Sequence, residues 1–417
     1  MKRINNLFGK VVVYNNFLLA DSNARKNKKH YKEIKEHDVY KENNLKKLQY
    51  DILTLNYKTS EYYIFKIYEP KEREIYKLPY FPDRIAHHAL MNILEPIWEK
   101  VFIYNSYACR KGKGIHSAVE DIKKVLKRDK ENTKYCLKLD IRKFYPSINH
   151  DILKTIVRKK IKDKKLLVIL DEIIDSASGV PIGNYLSQYF ANLYLTYFDH
   201  WIKENKKIKY YFRYADDIVI MHKSKKFLHN LLKEISNYLQ VNLKLTVKSN
   251  YQVFLLDSRG IDFVGYKFFH THVLIRKSIK NKMRRLANKI NSTNRKRGYV
   301  RRKVSSYFGW IKFCNGINFC NKYFKSISDK YNIPLPEKYV SKKSIMSNII
   351  GKNIKYIDIK AYDKYFKIYY VDKKLKYAIS TSSSLFKILK GNNIHSGDII
   401  KIRKIKNKYK VKYEFAI

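Results

Sequence analysis

The sequence predicts an α+β fold with acidic side chains at the ends of its strands and a small strand-rich domain at its C-terminus. Three observations predict it. The stretch YFRYADDIVIM (211–221) sets Asp216 and Asp217 between aromatic and β-branched runs that read as two strands of a hairpin. The stretch YCLKLDIRKFYPSINH (135–150) sets Asp140 at the end of another apolar run. Most of the chain before Pro334-Leu335-Pro336 has helical periodicity, whereas residues 351–417 read as short alternating strands.

In residues 1–60, VVVYNNFLLA (11–20) is followed by a Lys/Glu/His-rich stretch, Lys26 to Lys47, expected to be an exposed helix. EYYIFKIYEPKEREIYKLP reads as two strands around a Glu69-Pro70-Lys71 turn. In PDRIAHHALMNILEPIWEKVF, Ile85, Ala89, Ile93 and Ile97 mark one face of a helix that Pro96 kinks or ends. His87 and His88 diverge on that helix and make a poor metal pair; packing or capping suits them better. YACRKGKGIHSA (107–118) is basic and punctuated by glycines, which let backbone N–H groups approach a phosphate. It lacks the Walker pattern of an ATPase.

The Asp140 strand breaks into a turn at Pro146, and a helix starts near Asn149 to Asp151. Gly179, Pro181 and Gly183 form a turn before a helix with Leu186, Phe190, Leu193 and Tyr197 near one face. After the acid pair, Leu228, Leu231 or Leu232, Ile235 and Leu239 mark an amphipathic helix, and LKLTVKSN (243–250) alternates as a strand. RGIDFVGYKFFHTHVLI is a hairpin with a glycine, and SSYFGWIKFCN (305–315) is a packed helix with Trp310 in the core. The tail reads as five strands and one helix at SSSLFKILK, the pattern of an OB-type barrel. Asp398 stands alone in a turn, too few acids for an RNase H site.

A length of 417 residues suggests two or three domains, and a formal net charge of +51 points to nucleic acid before membrane. A Lys-, Asn-, Ile- and Tyr-rich composition inflates lysine everywhere, so the distribution is more telling. From Phe263 to Ser328 there is no Asp or Glu, and Arg and Lys crowd 276–303, the pattern of a face that holds a duplex by its phosphates. Four cysteines show no CxxC pairing and read as free thiols, three of them buried. No apolar run approaches the roughly 20 residues that span a bilayer, and a cytoplasmic location is expected.

Two adjacent carboxylates repel and each tends to hold a proton unless a cation neutralises them. A solvated surface turn is the plain alternative. Asp140 changes the balance, because an acid ending a buried strand is costly unless paired or metal-bound. Laid side by side, the two strands are expected to bring the three carboxylates around one point, which suits a two-magnesium centre.

Asp140 with Tyr145 five residues on, followed by YADD, resembles motifs A and C of reverse transcriptases. The order of further blocks agrees: REIYKLPYFPDRIAHHAL (73–90), GVPIGNYLSQ (179–188), LKLTVKSN (243–250) and RGIDFVGYKF (259–268). The resemblance covers roughly residues 70–325. The second of these further blocks carries Ile182-Gly183 and Ser187-Gln188 where retroviral and group II intron enzymes usually have Gln-Gly and Ser-Pro. That variant resembles the reverse transcriptases of bacterial diversity-generating retroelements.

The resemblance implies a right-hand polymerase: an N-terminal extension (1–60), fingers and palm (61–270), a basic helical thumb (271–335) and a small β-rich domain (345–417). It implies an RNA-directed DNA polymerase with Asp140, Asp216 and Asp217 catalytic, and two Mg2+ ions, replaceable by Mn2+, at Asp140, Ile141, Asp216 and Asp217. Nucleotide contacts fall on Arg73, on Tyr145 as a gate against a 2′-hydroxyl, on Ile182 and Gly183, and on Lys248 as a proton donor to pyrophosphate. Nucleic-acid contacts fall on Arg110, Lys111, Lys113, Gln188, Tyr214, Gly265, Tyr266, Arg276, Lys277, Arg284 and Arg285. Implied partners are a template RNA–cDNA duplex, dNTPs, a structured non-coding RNA and a small basic accessory protein, with no membrane. A phage-defence or stand-alone retroelement is the alternative setting, and a non-catalytic nucleic-acid scaffold is the contrasting class.

Overall fold

The computed structural model describes residues 3–28, 30–68 and 72–336, and the strand segments 353–356, 365–370, 376–380, 399–405 and 408–413. The chain divides into two compact units, Met1–Leu335 and Pro336–Ile417.

The first unit is built on a four-stranded antiparallel sheet in the order Tyr210–Tyr214, Asp217–His222, Tyr135–Asp140, Gln252–Leu255. Side chains alternate along each strand, and here both faces are covered. Leu137, Leu139, Ile218 and Ile220 enter one core with the helices Tyr14–Ala24, Ile85–Glu99, Tyr185–Tyr194 and Lys225–Leu243. Cys136, Val219 and Met221 enter a second core with the helix Ile115–Arg128 and the basic helices Lys277–Asn291, Arg297–Ile311 and Ile317–Tyr331. Both faces being apolar explains why these strands read as unbroken apolar runs. The mixed helix-and-sheet architecture is that of the expected right-hand polymerase class.

Several local expectations are corrected. Residues 243–250 make only a single bridge, Val247 to Ile141, and the fourth strand of the sheet is Gln252–Leu255. The alternation of LKLTVKSN marks a segment laid along residues 140–142, where the Arg142 N–H donates to the Thr246 carbonyl at 2.8 Å. Pro96 lies inside the helix Ile85–Glu99 rather than ending it, near an end that the buried Trp98 anchors. That helix is buried on more than one face, through Ala86, Leu90 and Leu94 as well as Ile85 and Ala89, while Ile93 and Ile97 are only partly buried.

The Lys26–Lys47 stretch forms the helix Lys32–Val39 and the start of Lys41–Leu53, and it is not simply exposed. Ile34, His37 and Leu45 are buried, and the fully buried Asp21 collects Arg25, Lys41 and the Tyr80 hydroxyl. The expected hairpin near residue 263 is a three-stranded sheet of Ile261–Phe263, Tyr266–Phe268 and Val273–Ile275.

Strands Tyr63–Ile67 and Arg73–Lys77 pair antiparallel as expected; their Glu69–Lys71 turn lies outside the described residues. In the second unit five strands form an antiparallel sheet in the order 376–380, 365–370, 353–356, 399–405, 408–413. The expected helix at SSSLFKILK and Asp398 lie outside the described residues.

Candidate active site

Register assembles the centre of the site. Asp140, last in its strand, stands opposite Asp217, first in its own. Directly opposed residues project to the same face, so these carboxylates share the face that also carries Lys138. Asp216 lies in the turn just before, after Ala215, whose φ is +54°. Among the described residues no three Asp, Glu, His or Cys side chains close on one point. The strands thus give an opposed pair with the third carboxylate in the adjoining turn, and Asp140 acts electrostatically on both Asp216 and Asp217.

Each member of the pair has its own lysine. Lys248 Nζ lies 3.3 Å from Asp140 Oδ2, and its backbone N–H donates to the Asp140 carbonyl at 2.9 Å. Lys138 Nζ lies 3.5 Å from Asp217 Oδ2 and also donates to the Asp262 carbonyl of the neighbouring small sheet. The sequence signal for Lys138 is its position two residues before Asp140, on the same strand face. Burial pushes the Asp217 carboxyl up to about 7, with Lys138 opposing and Asp140 and Asp216 adding to the rise. Asp216 is raised for the same reasons, burial first and then Asp140. Asp217 Oδ1 is buried with no hydrogen-bond partner.

These features fit divalent cations. Mg2+ in polymerase-type sites needs only one or two carboxylates, completed by waters and substrate phosphates. Carboxylates that resist ionising, one with an orphaned oxygen, are groups a cation would satisfy. Asp140, Asp216, Asp217 and the backbone of Ile141 are the residues at hand.

Tyr145 and Arg73 reach this centre. Arg73, exposed on its strand, exerts its charge on both Asp216 and Tyr145, and burial holds the Tyr145 phenol well above its usual range. Gly179 and Gly183 both lie close against protein backbone. A Cβ on Gly179 would fall 2.6 Å from the Tyr145 and Pro146 carbonyls, and the Val180 N–H donates to the Tyr145 carbonyl at 2.9 Å. A Cβ on Gly183 (φ +131°) would fall 2.7 Å from the Tyr76 carbonyl, and the Tyr76 N–H donates to the Ile182 carbonyl at 2.8 Å. The turn thus clamps Tyr145 on one side and the strand Arg73–Lys77 on the other.

Several residues expected to contact nucleic acid have protein partners. Arg110 is an internal strut: its guanidinium pairs with Glu99 at 3.0 Å and donates to the Ile103 and Ser106 carbonyls. Lys113 sits over the Tyr104 ring, 3.2 Å from its centroid. Tyr266 is fully buried and donates to the Trp310 carbonyl at 3.0 Å, and a Cβ on Gly265 would strike the Trp310 ring. This element grips the basic helices, which need a bare backbone and a buried ring there. Arg276 is paired with Asp262 at 2.6 Å. Lys111, Gln188, Lys277, Arg284 and Arg285 are exposed, and Tyr214 is half-buried. His87 and His88 are no metal pair: His88 stacks on Tyr185, and burial lowers both rings to about 4.

A four-stranded sheet with opposed carboxylates at the ends of its two central strands, packed against basic helices, is the architecture of the right-hand polymerase class. Residues 69–268 match the family model described as reverse transcriptase (RNA-dependent DNA polymerase). It is 25% identical over 260 residues to the protein YkfC of Escherichia coli K12, covering 51% of this chain and 66% of that one. It is 26% identical over 268 residues to the Retron Ec73 reverse transcriptase of Escherichia coli, covering 58% and 81% respectively. The group II intron-encoded protein LtrA of Lactococcus lactis is 29% identical over 189 residues, 43% of this chain and 30% of LtrA. The chain therefore spans only part of YkfC and LtrA. Among solved structures, apo telomerase from Candida tropicalis aligns with a TM-score of 0.43 at 13% identity, over 65% of this chain and 59% of that one. No helix among the described residues is long and apolar enough to cross a membrane.

Proposed function

We propose that this chain is an RNA-directed DNA polymerase that copies an RNA template into cDNA by two-metal nucleotidyl transfer. The observation that carries the reading is the register that opposes Asp140 to Asp217, with Asp216 in the adjoining turn and Arg73 and Tyr145 beside it. Asp140, Asp216 and the Ile141 backbone are the groups that would hold Mg2+, or Mn2+ in its place, with Asp217 supporting them. Bound there, the ions supply Lewis-acid activation of the primer 3′-hydroxyl and neutralise charge on the leaving pyrophosphate.

The chain's own residues do the rest. Arg73 grips triphosphate oxygens with its planar fork. The Tyr145 ring packs under the sugar and excludes a 2′-hydroxyl. Lys248, 3.3 Å from Asp140, donates a proton to pyrophosphate. Lys111, Gln188, Tyr214, Lys277, Arg284 and Arg285 contact template and duplex. A close to A-form RNA–cDNA hybrid is read by shape and backbone. The divisions 1–60, 61–270, 271–335 and 345–417 belong to this reading, as does an OB-type tail for single-stranded nucleic acid.

Ile182-Gly183 and Ser187-Gln188 favour a diversity-generating retroelement, with a structured RNA and a small basic accessory protein as partners. The likeness to a retron reverse transcriptase over most of that protein's length supports a second setting, a retron-like, stand-alone or antiviral element. The test is dNTP incorporation on a primed RNA template with Mg2+, comparing the wild type with Asp216→Asn/Asp217→Asn. Synthesis by the wild type alone supports the reading. Errors concentrated at template adenines would select the first setting, and faithful copying the second. No synthesis, with duplex binding unchanged in the variant, would favour a scaffold.

A further inference from the structure

The strand that leads into the acid pair carries a buried cation. Tyr211 and Arg213 share one face of the strand Tyr210–Tyr214, and both are 0% exposed. Asp199, also 0% exposed, accepts from Arg213 Nε at 2.7 Å, from Arg213 Nη2 at 2.6 Å and from the Tyr211 hydroxyl at 2.5 Å. Arg213 Nη1 points the other way. It donates to Asn192 Oδ1 at 3.2 Å and to the Ala215 carbonyl at 3.1 Å. Asn192 in turn donates through Nδ2 to the Ala108 carbonyl at 2.8 Å. The backbone of residue 213 is tied to the same loop: its N–H donates to the Asn105 carbonyl, and its carbonyl accepts from the Tyr107 N–H, both at 3.0 Å.

Ala215 is the residue before Asp216. Its carbonyl and the Asp216 N–H belong to one planar peptide unit, so a donor fixed on that carbonyl fixes the orientation of the peptide that leads to Asp216. The turn needs such a restraint, because Ala215 is a non-glycine residue at φ +54°, and left-handed conformations persist only where the surroundings over-determine them. A buried ion pair is by itself weak evidence for stability, since apolar residues of like volume often serve as well. An apolar replacement would have nothing to offer the Ala215 carbonyl. A lysine would keep the charge opposite Asp199 but lacks the fork that serves Asp199, Asn192 and Ala215 together.

We propose that Arg213, locked by Asp199 and Asn192, is a positioning residue: it sets the peptide carrying Asp216 and couples that carboxylate to the 105–108 loop and to the helix Tyr185–Tyr194. The role rests on the polymerase reading above, and the test separates the two. Arg213→Lys and the milder Asn192→Ala are purified as full chains, checked by thermal melting, and compared with the wild type for single-nucleotide incorporation. Both are expected to lose at least about tenfold in kcat, with dNTP KM and primer–template affinity changed less than about threefold. A kcat within about twofold of wild type in either folded variant overturns the proposal, as does a loss that falls on KM alone. If the wild type itself makes no DNA, the polymerase reading fails, and Mn2+ binding followed by its paramagnetic resonance decides the positioning role. Weaker Mn2+ binding in folded Arg213→Lys upholds the role; unchanged binding overturns it.

Discussion

Asp217 offers a test of the site that needs no substrate. Its carboxyl ionises near 3.8 when exposed, and burial raises it to about 7 in the fold. Between those values the folded chain binds a proton that the unfolded chain does not, so this group's contribution to stability falls as the pH rises through the window. Fully ionised, it costs the fold on the order of 4 kcal/mol. That is a ceiling, because the side chain keeps 23% of its exposure and Lys138 lies 3.5 Å away. His87 and His88 run in the opposite sense, since their lowered values make the fold less stable below about 6.5. A pH profile of the wild type alone therefore mixes both effects.

The difference between wild type and Asp217→Asn isolates the carboxylate, because asparagine keeps the shape and never ionises. With divalent ions chelated, the melting temperature of Asp217→Asn should rise relative to wild type by roughly 3–6 °C between pH 5 and pH 8, a few kcal/mol for a unit of this size. Millimolar Mg2+ or Mn2+ should then close the gap by stabilising the wild type through binding to the folded state. A gap that stays constant with pH, or narrows toward pH 8, would refute the account of a carboxylate held partly protonated by burial.

Four further variants probe the sugar gate, the glycine turn and the basic helices. Tyr145→Ala should raise rNTP use relative to dNTP by at least about tenfold, read from competing incorporation, if the ring is the sugar gate. Gly183→Ala should lower stability by about 1–3 kcal/mol, seen in thermal melts, because its Cβ would meet the Tyr76 carbonyl at 2.7 Å and its φ is +131°. Arg284→Ala/Arg285→Ala should lessen the steepness of log affinity against log salt by very roughly 0.9 for each phosphate that the pair neutralises, while Tyr266→Phe should leave that slope unchanged and cost about 1 kcal/mol of stability.

What the sequence determined by itself is what short-range pattern encodes. Asp140, Asp216 and Asp217 were legible because acids in apolar, β-branched runs stand out against their neighbours. The helix Lys225–Leu243 was legible because Leu228, Leu231, Ile235 and Leu239 repeat at helical spacing. The order of the blocks pointed to the family before any tertiary pairing was known.

What only the tertiary structure decided is which partner each charged or glycine residue meets. Arg110 and Lys113 carry the same basic signal as Arg284 and Arg285, yet Arg110 is largely buried against Glu99 and Lys113 lies over the exposed Tyr104 ring. The sequence shows nothing of the Tyr76 carbonyl that lies against Gly183 or the Trp310 ring that lies against Gly265. Lys138 and Arg213 look ordinary in a chain with 88 Lys and Arg, and only the pairing of strands brings them to Asp217 and to the peptide before Asp216. The physical reason is common to all of these cases. Charge and backbone freedom are properties of one residue, whereas the choice among solvent, ligand and protein as partner depends on segments far apart in the chain that packing brings together.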